Sequence, residues 1–139
     1  MYKRQNLNNA EEFPNNIDIR NIINFSGTYT YNNFNIAFGL NWHSGYPFTE
    51  AIGLNTIGNG IEFEAPNSST VKDFLRLDSS VTYNFKISNA DVKLGISVWN
   101  ILNNENVIDV YSVIENGEIF EIENTSLGIT PNASFRVEF

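Results

Sequence analysis

The sequence has no cysteine, a single histidine and half as many basic as acidic side chains, eight against sixteen. Without cysteine there is no disulfide framework and no thiolate metal site. A net charge of −8 leaves no basic surface to neutralise phosphates, so nucleic acid is excluded as a partner. No run of about 18 apolar residues occurs, so no transmembrane helix is encoded. The opening Met1-Tyr2-Lys3-Arg4-Gln5 has no apolar stretch behind it and makes no signal peptide. There is no glycine-rich phosphate loop, no Ser/His/Asp or Cys/His set, and no carboxylate pair at helical spacing. Neither enzymatic activity nor a cofactor is expected.

What is present is alternation. From Ala133 onward, Ala133, Phe135, Val137 and Phe139 face one way, and Ser134, Arg136 and Glu138 the other. Strands turn successive side chains to opposite faces, so this is a strand with one apolar and one polar side. Its final aromatic is also the last residue, an ending that outer-membrane barrels place at the periplasmic interface. The same period recurs upstream. Ile17, Ile19, Ile23, Phe25, Tyr29 and Tyr31 share a face, Asn32-Asn33 signals a tight turn, and Phe34, Ile36, Phe38, Leu40 and Trp42 return. Leu75, Leu77, Val81, Tyr83 and Phe85 oppose Arg76, Asp78, Ser80, Thr82 and Asn84. Val92, Leu94, Ile96 and Val98 oppose Lys93, Gly95, Ser97 and Trp99. Asn116-Gly117, between alternating runs at 107–113 and 118–123, is the strongest short hairpin signal.

The period predicts spanning strands over 17–31, 34–43, 74–85, 92–101 and 133–139. Between them short turns (32–33 and 86–91) alternate with long segments (44–73 and 102–131). Segment 44–73 reads as irregular apart from an alternating patch at 61–64, and 100–106 as a polar bend. Short turns on one side and long loops on the other are the asymmetry of outer-membrane barrels. Counting back from a periplasmic C-terminus puts both short turns in the periplasm and both long loops outside. A mean hydropathy of −0.23 is compatible, because a barrel strand needs an apolar residue only at every second position. The 14% aromatic content fits interfacial girdles or a sandwich core equally.

Four segments, in order, carry a resemblance. Ser44-Gly45-Tyr46-Pro47-Phe48-Thr49 is similar to the SG-aromatic-P-aromatic-T segment of TonB-dependent outer-membrane receptors. Leu75-Arg76-Leu77-Asp78-Ser79-Ser80-Val81-Thr82-Tyr83-Asn84-Phe85 resembles their RLD-x-S-x-x-Y-x-F strand. Val98-Trp99-Asn100-Ile101-Leu102-Asn103 resembles their V-x-N-L-F-N, with Ile101-Leu102 in place of Leu-Phe. Leu127-Gly128-Ile129-Thr130-Pro131, followed by Phe135-Arg136-Val137-Glu138-Phe139, resembles the ending of Bacteroidetes-type members. The resemblance implies the last part of a 22-stranded barrel whose plug and TonB-contacting segment would lie upstream. It implies energy-coupled uptake of a scarce nutrient of the iron-chelate, cobalamin or glycan type. It names no substrate.

Several side chains are candidates for function. Trp99, on the polar face, is the foremost candidate to stack on a substrate ring. Tyr46 and Phe48 read first as interface or rim aromatics. His43 sits on the polar face at the outer end of a strand, where a rim position is preferred to a ligand role. Arg76 and Asp78, two apart on that face, read as a lumen ion pair. Glu62, Glu64 and Asp73 could offer oxygen ligands to a metal, but scattered loop acids are the simpler reading.

The expected architecture is all-β: an antiparallel up-and-down meander forming the last five strands of a transmembrane β-barrel. Residues 1–16 are expected to be loop, with 1–5 extraneous, and 17–139 a barrel segment with outer loops 44–73 and 102–131. A missing N-terminal part is expected, since export needs a signal and five strands alone leave backbone groups unpaired in hydrocarbon. Expected partners are outer-membrane lipid, the barrel-assembly machinery through Phe135, Val137 and Phe139, and TonB only through the absent part. The alternatives are another outer-membrane barrel, such as a porin or adhesin, and a secreted glycan-binding β-sandwich with its apolar faces packed together.

Overall fold

A computed structural model of the protein describes residues 13–55 and 60–139. The expectations for 1–12, the extraneous pentapeptide among them, lie outside the described residues. Along the chain run β1 (Ile22–Tyr31), β2 (Phe34–His43), the short β3 (Pro47–Phe48), β4 (Ala51–Asn55), β5 (Gly60–Phe63) and β6 (Ser69–Thr70). Then come β7 (Phe74–Ile87), β8 (Ala90–Trp99), β9 (Val107–Glu115), β10 (Glu118–Thr125) and β11 (Thr130–Glu138). All pairings are antiparallel.

One five-stranded sheet, in the order β1-β2-β7-β8-β11, forms a wall. Its long strands follow one another up and down, as the alternation predicts. The wall is open: no closed barrel is formed, and β1 and β11 are its edges. Tight turns Asn32-Asn33 and Ser88-Asn89 close one end, with positive φ at Asn32 (50°) and Ser88 (54°). Both long connections leave from the other end.

Several boundaries differ from those expected. The first strand begins at Ile22 rather than at 17, because residues 16–17 make a turn closed by Asp18 N donating to Asn15 O (2.9 Å). The turn expected over 86–91 shrinks to two residues, since Lys86 pairs with Asp91 and Ile87 with Ala90. β8 stops at Trp99 rather than 101, where Asn100 turns into the left-handed region (φ 51°). The last strand starts at Thr130 and passes through Pro131. That position tolerates proline because β11 is an edge strand and can spare one ladder donor. Segment 44–73 is not irregular: β3 pairs with β6, and β4 with β5. The hairpin around Asn116-Gly117 forms as predicted, with φ 53° and 82° at the two turn residues, and extends to Glu115 and Thr125.

Register sorts the wall into two faces. Cross-strand rows Tyr31–Phe34–Tyr83–Leu94–Phe135 and Tyr29–Ile36–Val81–Ile96–Ala133 lie on one side. Thr30–Asn35–Thr82–Gly95–Ser134 and Thr28–Ala37–Ser80–Ser97–Asn132 lie on the other. Among the described residues no second layer covers the apolar side: Phe25, Ile96 and Phe135 are 60%, 66% and 69% exposed. Its one serine, Ser79, donates its hydroxyl to Ala37 O (3.1 Å), so no free polar group interrupts it. Gly27 leaves room for the Phe38 ring, which covers it and meets Phe25 at 5.7 Å between centroids. Among the described hydrophobic side chains only Val92 and Val107 are buried.

Candidate functional site

The middle of the polar face is a carpet of small side chains beside the Trp99 ring. Ser80 and Ser97 pair across β7 and β8, Ala37 pairs with Ser80, and Gly39 with Asp78. Where these short residues meet the Trp99 indole there is a hollow of about 180 Å³, lined by Gly39, Asp78, Ser80, Ser97 and Trp99 among others. Trp99 is 52% exposed beside it. An aromatic plate next to hydroxyls and a carboxylate suits a polar ligand with one flat apolar side.

Asp78 is held rather than free. Arg76 Nε donates to its Oδ2 (3.1 Å) and Asn100 N to its Oδ1 (2.9 Å). The pair foreseen in the sequence is therefore present and partly buried, and it fixes the turn that follows Trp99. His43 shares the polar face, two residues nearer the rim. Its Nδ1 lies 2.9 Å from Ser44 O, and its ring stacks on Phe74 at 4.8 Å. The structure thus brings Trp99, Asp78 and Arg76 together, places His43 beside them on the rim, and leaves Tyr46 apart.

Tyr46 belongs to the outer connections. Its hydroxyl is buried without a protein partner, and burial first, then the charge of Asp109, pushes its pKa up. Gly45 donates its N–H to Asp73 Oδ1 (3.0 Å) and lies so close to the Val71 carbonyl that a Cβ would collide with it. Asp73 is thus a turn anchor. Glu64 Oε2 likewise accepts from the Ser68 hydroxyl (3.0 Å). Among the described residues no three acidic or histidine side chains converge on a metal position.

The group not singled out from the sequence is the asparagine clasp after Trp99. Asn100 is 1% exposed. Its Nδ2 donates to Asn104 O (2.9 Å) and Leu127 O (3.0 Å), while its Oδ1 accepts from Asn104 N (3.2 Å). Asn104 Nδ2 donates to Leu75 O (3.0 Å), and Asn106 Oδ1 accepts from Leu75 N (2.8 Å). Asn103, also left-handed (φ 52°), accepts from Ile129 N (2.9 Å). Together these bonds tie the ends of β7, β8 and β11 into one knot at the base of the outer hairpin. The signal was there in the spacing of Asn100, Asn103, Asn104 and Asn106, since asparagine both tolerates left-handed backbone and bonds its own chain.

The charged end of the polar face lies at the tight turns. Lys93 pairs with Asn84 and Arg136, beside the ion pairs Lys86–Asp91 (3.4 Å) and Arg136–Glu138. Of the three terminal residues named for assembly, Phe135 and Val137 lie on the apolar side, opposite Leu94 and Val92, and Phe139 lies past the end of β11, fully exposed. No protein-family model, curated protein or solved structure matches the chain.

Proposed function

We propose that this chain is a wall segment of an outer-membrane β-barrel, of the TonB-dependent receptor type, serving uptake of a scarce nutrient. The observation that carries the reading is the layering of the bare apolar face. Tyr31, Phe34, Tyr83 and Phe135 stand in one cross-strand row at the tight-turn end, with Phe34 and Tyr83 4.5 Å apart. Beyond them come mixed rows, Tyr29–Ile36–Val81–Ile96–Ala133 and Gly27–Phe38–Ser79–Val98–Pro131, and eight residues up stands the row Ile23–Trp42–Leu75. Eight steps of about 3.3 Å, tilted by about 40°, rise about 20 Å, close to the apolar band of about 25 Å in such barrels. Tyr31 and Tyr83 in the first row and Tyr29 in the next gather the tyrosines of this face at its tight-turn end, which suits a membrane interface, where the ring is buried and the hydroxyl wet. A sandwich core gives no reason for such a gathering.

The size of the face supports a cover. Five strands about 4.8 Å apart and about nine residues long present roughly 700 Å², more than the about 300–600 Å² of the largest patch on a typical monomer. At about 25 cal/mol per Å² its burial is worth on the order of 17 kcal/mol, as much as the whole stability of an ordinary domain. Lipid covers such a face, and further strands on β1 and β11 satisfy the edges. In this reading Trp99 and its hollow face the lumen, and Phe139 lies at the periplasmic interface as part of an assembly signal.

The test is charge insertion in the intact protein. Phe38→Arg and Ile96→Arg should each cost about 2–4 kcal/mol in membrane stability, while Ser80→Arg on the opposite face should cost under about 1. Heat-modifiable migration and outer-membrane yield report it. Equal tolerance of all three substitutions would overturn the lipid-facing assignment.

A further inference from the structure

The negative charge of the chain is concentrated in its outer connections. Residues 44–73 and 100–131 hold ten acidic side chains against one lysine, a net −9, while the rest holds six against seven, a net +1. The β9–β10 hairpin and its flanks carry Glu105, Asp109, Glu115, Glu118, Glu121 and Glu123, with no lysine or arginine.

This hairpin is also unfinished as a sheet. Among the described residues β9 pairs with β10 alone, so its other edge has no ladder partner there. β10 is braced on the other side, where Glu121 Oε1 accepts from Ala51 N (3.3 Å) in β4 and Glu123 reaches Lys72 (3.7 Å). One hairpin face therefore turns towards β4. On the opposite face Tyr111, Phe120 and Ile122 are 49%, 44% and 38% exposed, with Ile122 paired to Tyr111. A two-stranded ribbon is marginal in water, and a third strand both completes the ladder and covers such a face.

We infer that the free edge of β9 docks an extended basic polypeptide segment, added as a third strand to the outer hairpin. Backbone pairing with β9 supplies its register; on the one face that Asp109, Tyr111, Val113 and Glu115 share with Glu118 and Phe120, its central alternate side chains are apolar and meet Tyr111 and Phe120, and its outer ones are basic and meet the carboxylates. The charge selects the occupant: a second copy of this hairpin would oppose carboxylates to carboxylates, which an antiparallel pair disfavours. The inference goes beyond the membrane reading, and its peptide test is separate from the charge-insertion test.

The probe is a fluorescein-labelled peptide whose alternate positions read Lys, Val, Val, Lys with threonine between them, so that lysines and valines share one strand face, titrated by anisotropy against the intact protein in detergent micelles. Binding that weakens with salt is expected, falling about tenfold or more on E115K/E118K. A similar loss is expected on Y111S/F120S, whose fold is checked by an unchanged circular dichroism spectrum. The same peptide N-methylated at every backbone amide offers no ladder donor and should not bind. If it binds equally, or both double variants bind like the parent, or the lysine–valine peptide does not bind, the docking edge is overturned. None of these outcomes bears on charge insertion at Phe38 and Ile96, so the two ideas fail separately.

Discussion

The wall and the outer connections are held together by opposite means. In the wall, backbone ladders join five strands, and the apolar side chains point away from the protein. Side-chain bonds there are few, such as Thr30 Oγ1 donating to Asn35 Oδ1 (2.7 Å). In the outer connections short ladders are stitched by side chains: Asn100, Asn104, Asn106, Asp73, and Thr49, whose hydroxyl accepts from Asn67 N (2.9 Å). The two described buried polar residues, Asn100 and Asn106, are both in this part. One region leaves an apolar face bare; the other closes its own polar groups and carries the charge. The difference predicts that substitutions act through solvent in the wall and through lost bonds outside it.

The largest effect outside the wall is expected at Asn100. Asn100→Ala removes donors to two carbonyls, leaves Asn104 N without its acceptor, and puts a Cβ-only residue at φ 51°. Buried groups left unpaired cost about 1–3 kcal/mol each, so a total loss of about 3 kcal/mol is expected. Asn100→Gly relieves the backbone and should recover about 1 kcal/mol of it. Protease cleavage within 100–129 of the folded protein, against cleavage in the wall, separates a local from a global loss. A loss spread equally over both would mean that the knot is part of the wall.

Gly45→Ala should follow closely, at about 2–3 kcal/mol. The new methyl meets the Val71 carbonyl, which is backbone and is fixed by Val71 N donating to Tyr46 O (3.1 Å). Gly27→Ala makes an instructive counterpart in the wall. There the nearest atom is the edge of the Phe38 ring at 2.8 Å, which can swing towards open space, so a cost under about 1.5 kcal/mol is expected. Denaturant midpoints of both variants, measured side by side, give the ranking. A Gly27 variant as damaged as the Gly45 one would mean that the apolar face is more tightly packed than its exposure implies.

The wall was legible in the sequence because period-two alternation leaves one register for each strand. Phe34–His43 was read to the residue, since Asn32-Asn33 marks its start and His43 the last alternating step. The faces followed from the same pattern, so Arg76, Asp78 and Trp99 could be placed together on one side before any coordinates. Two features were not legible. The pairing of β3 with β6 rests on strands of two residues, too short to show a period. The clasp rests on bonds between Asn100 and Leu127, far apart in the chain, and one-dimensional spacing carries no sign of which carbonyl an amide will find. Ser88-Asn89 was read too long because Lys86 and Asp91 look like loop residues, whereas their ion pair at 3.4 Å extends the ladder.

The smallest effect should have the opposite sign. Tyr46 belongs to the polar outer part, yet its hydroxyl is buried there without a protein partner. Tyr46→Phe removes the desolvated group and keeps the ring, so stability at neutral pH should rise by up to about 1 kcal/mol. The pH dependence supplies the control. Burial, then Asp109, raises the folded-state pKa above the ordinary tyrosine value of about 10. The folded state therefore holds the phenolic proton more tightly than the unfolded one. That contribution is fully present below about pH 10 and is lost as pH rises from there through the folded-state value. The parent should lose stability over this alkaline window and the phenylalanine variant should lose less, other tyrosines being common to both. A variant that is weaker at neutral pH, with an unchanged alkaline slope, would mean that the hydroxyl is hydrogen-bonded after all.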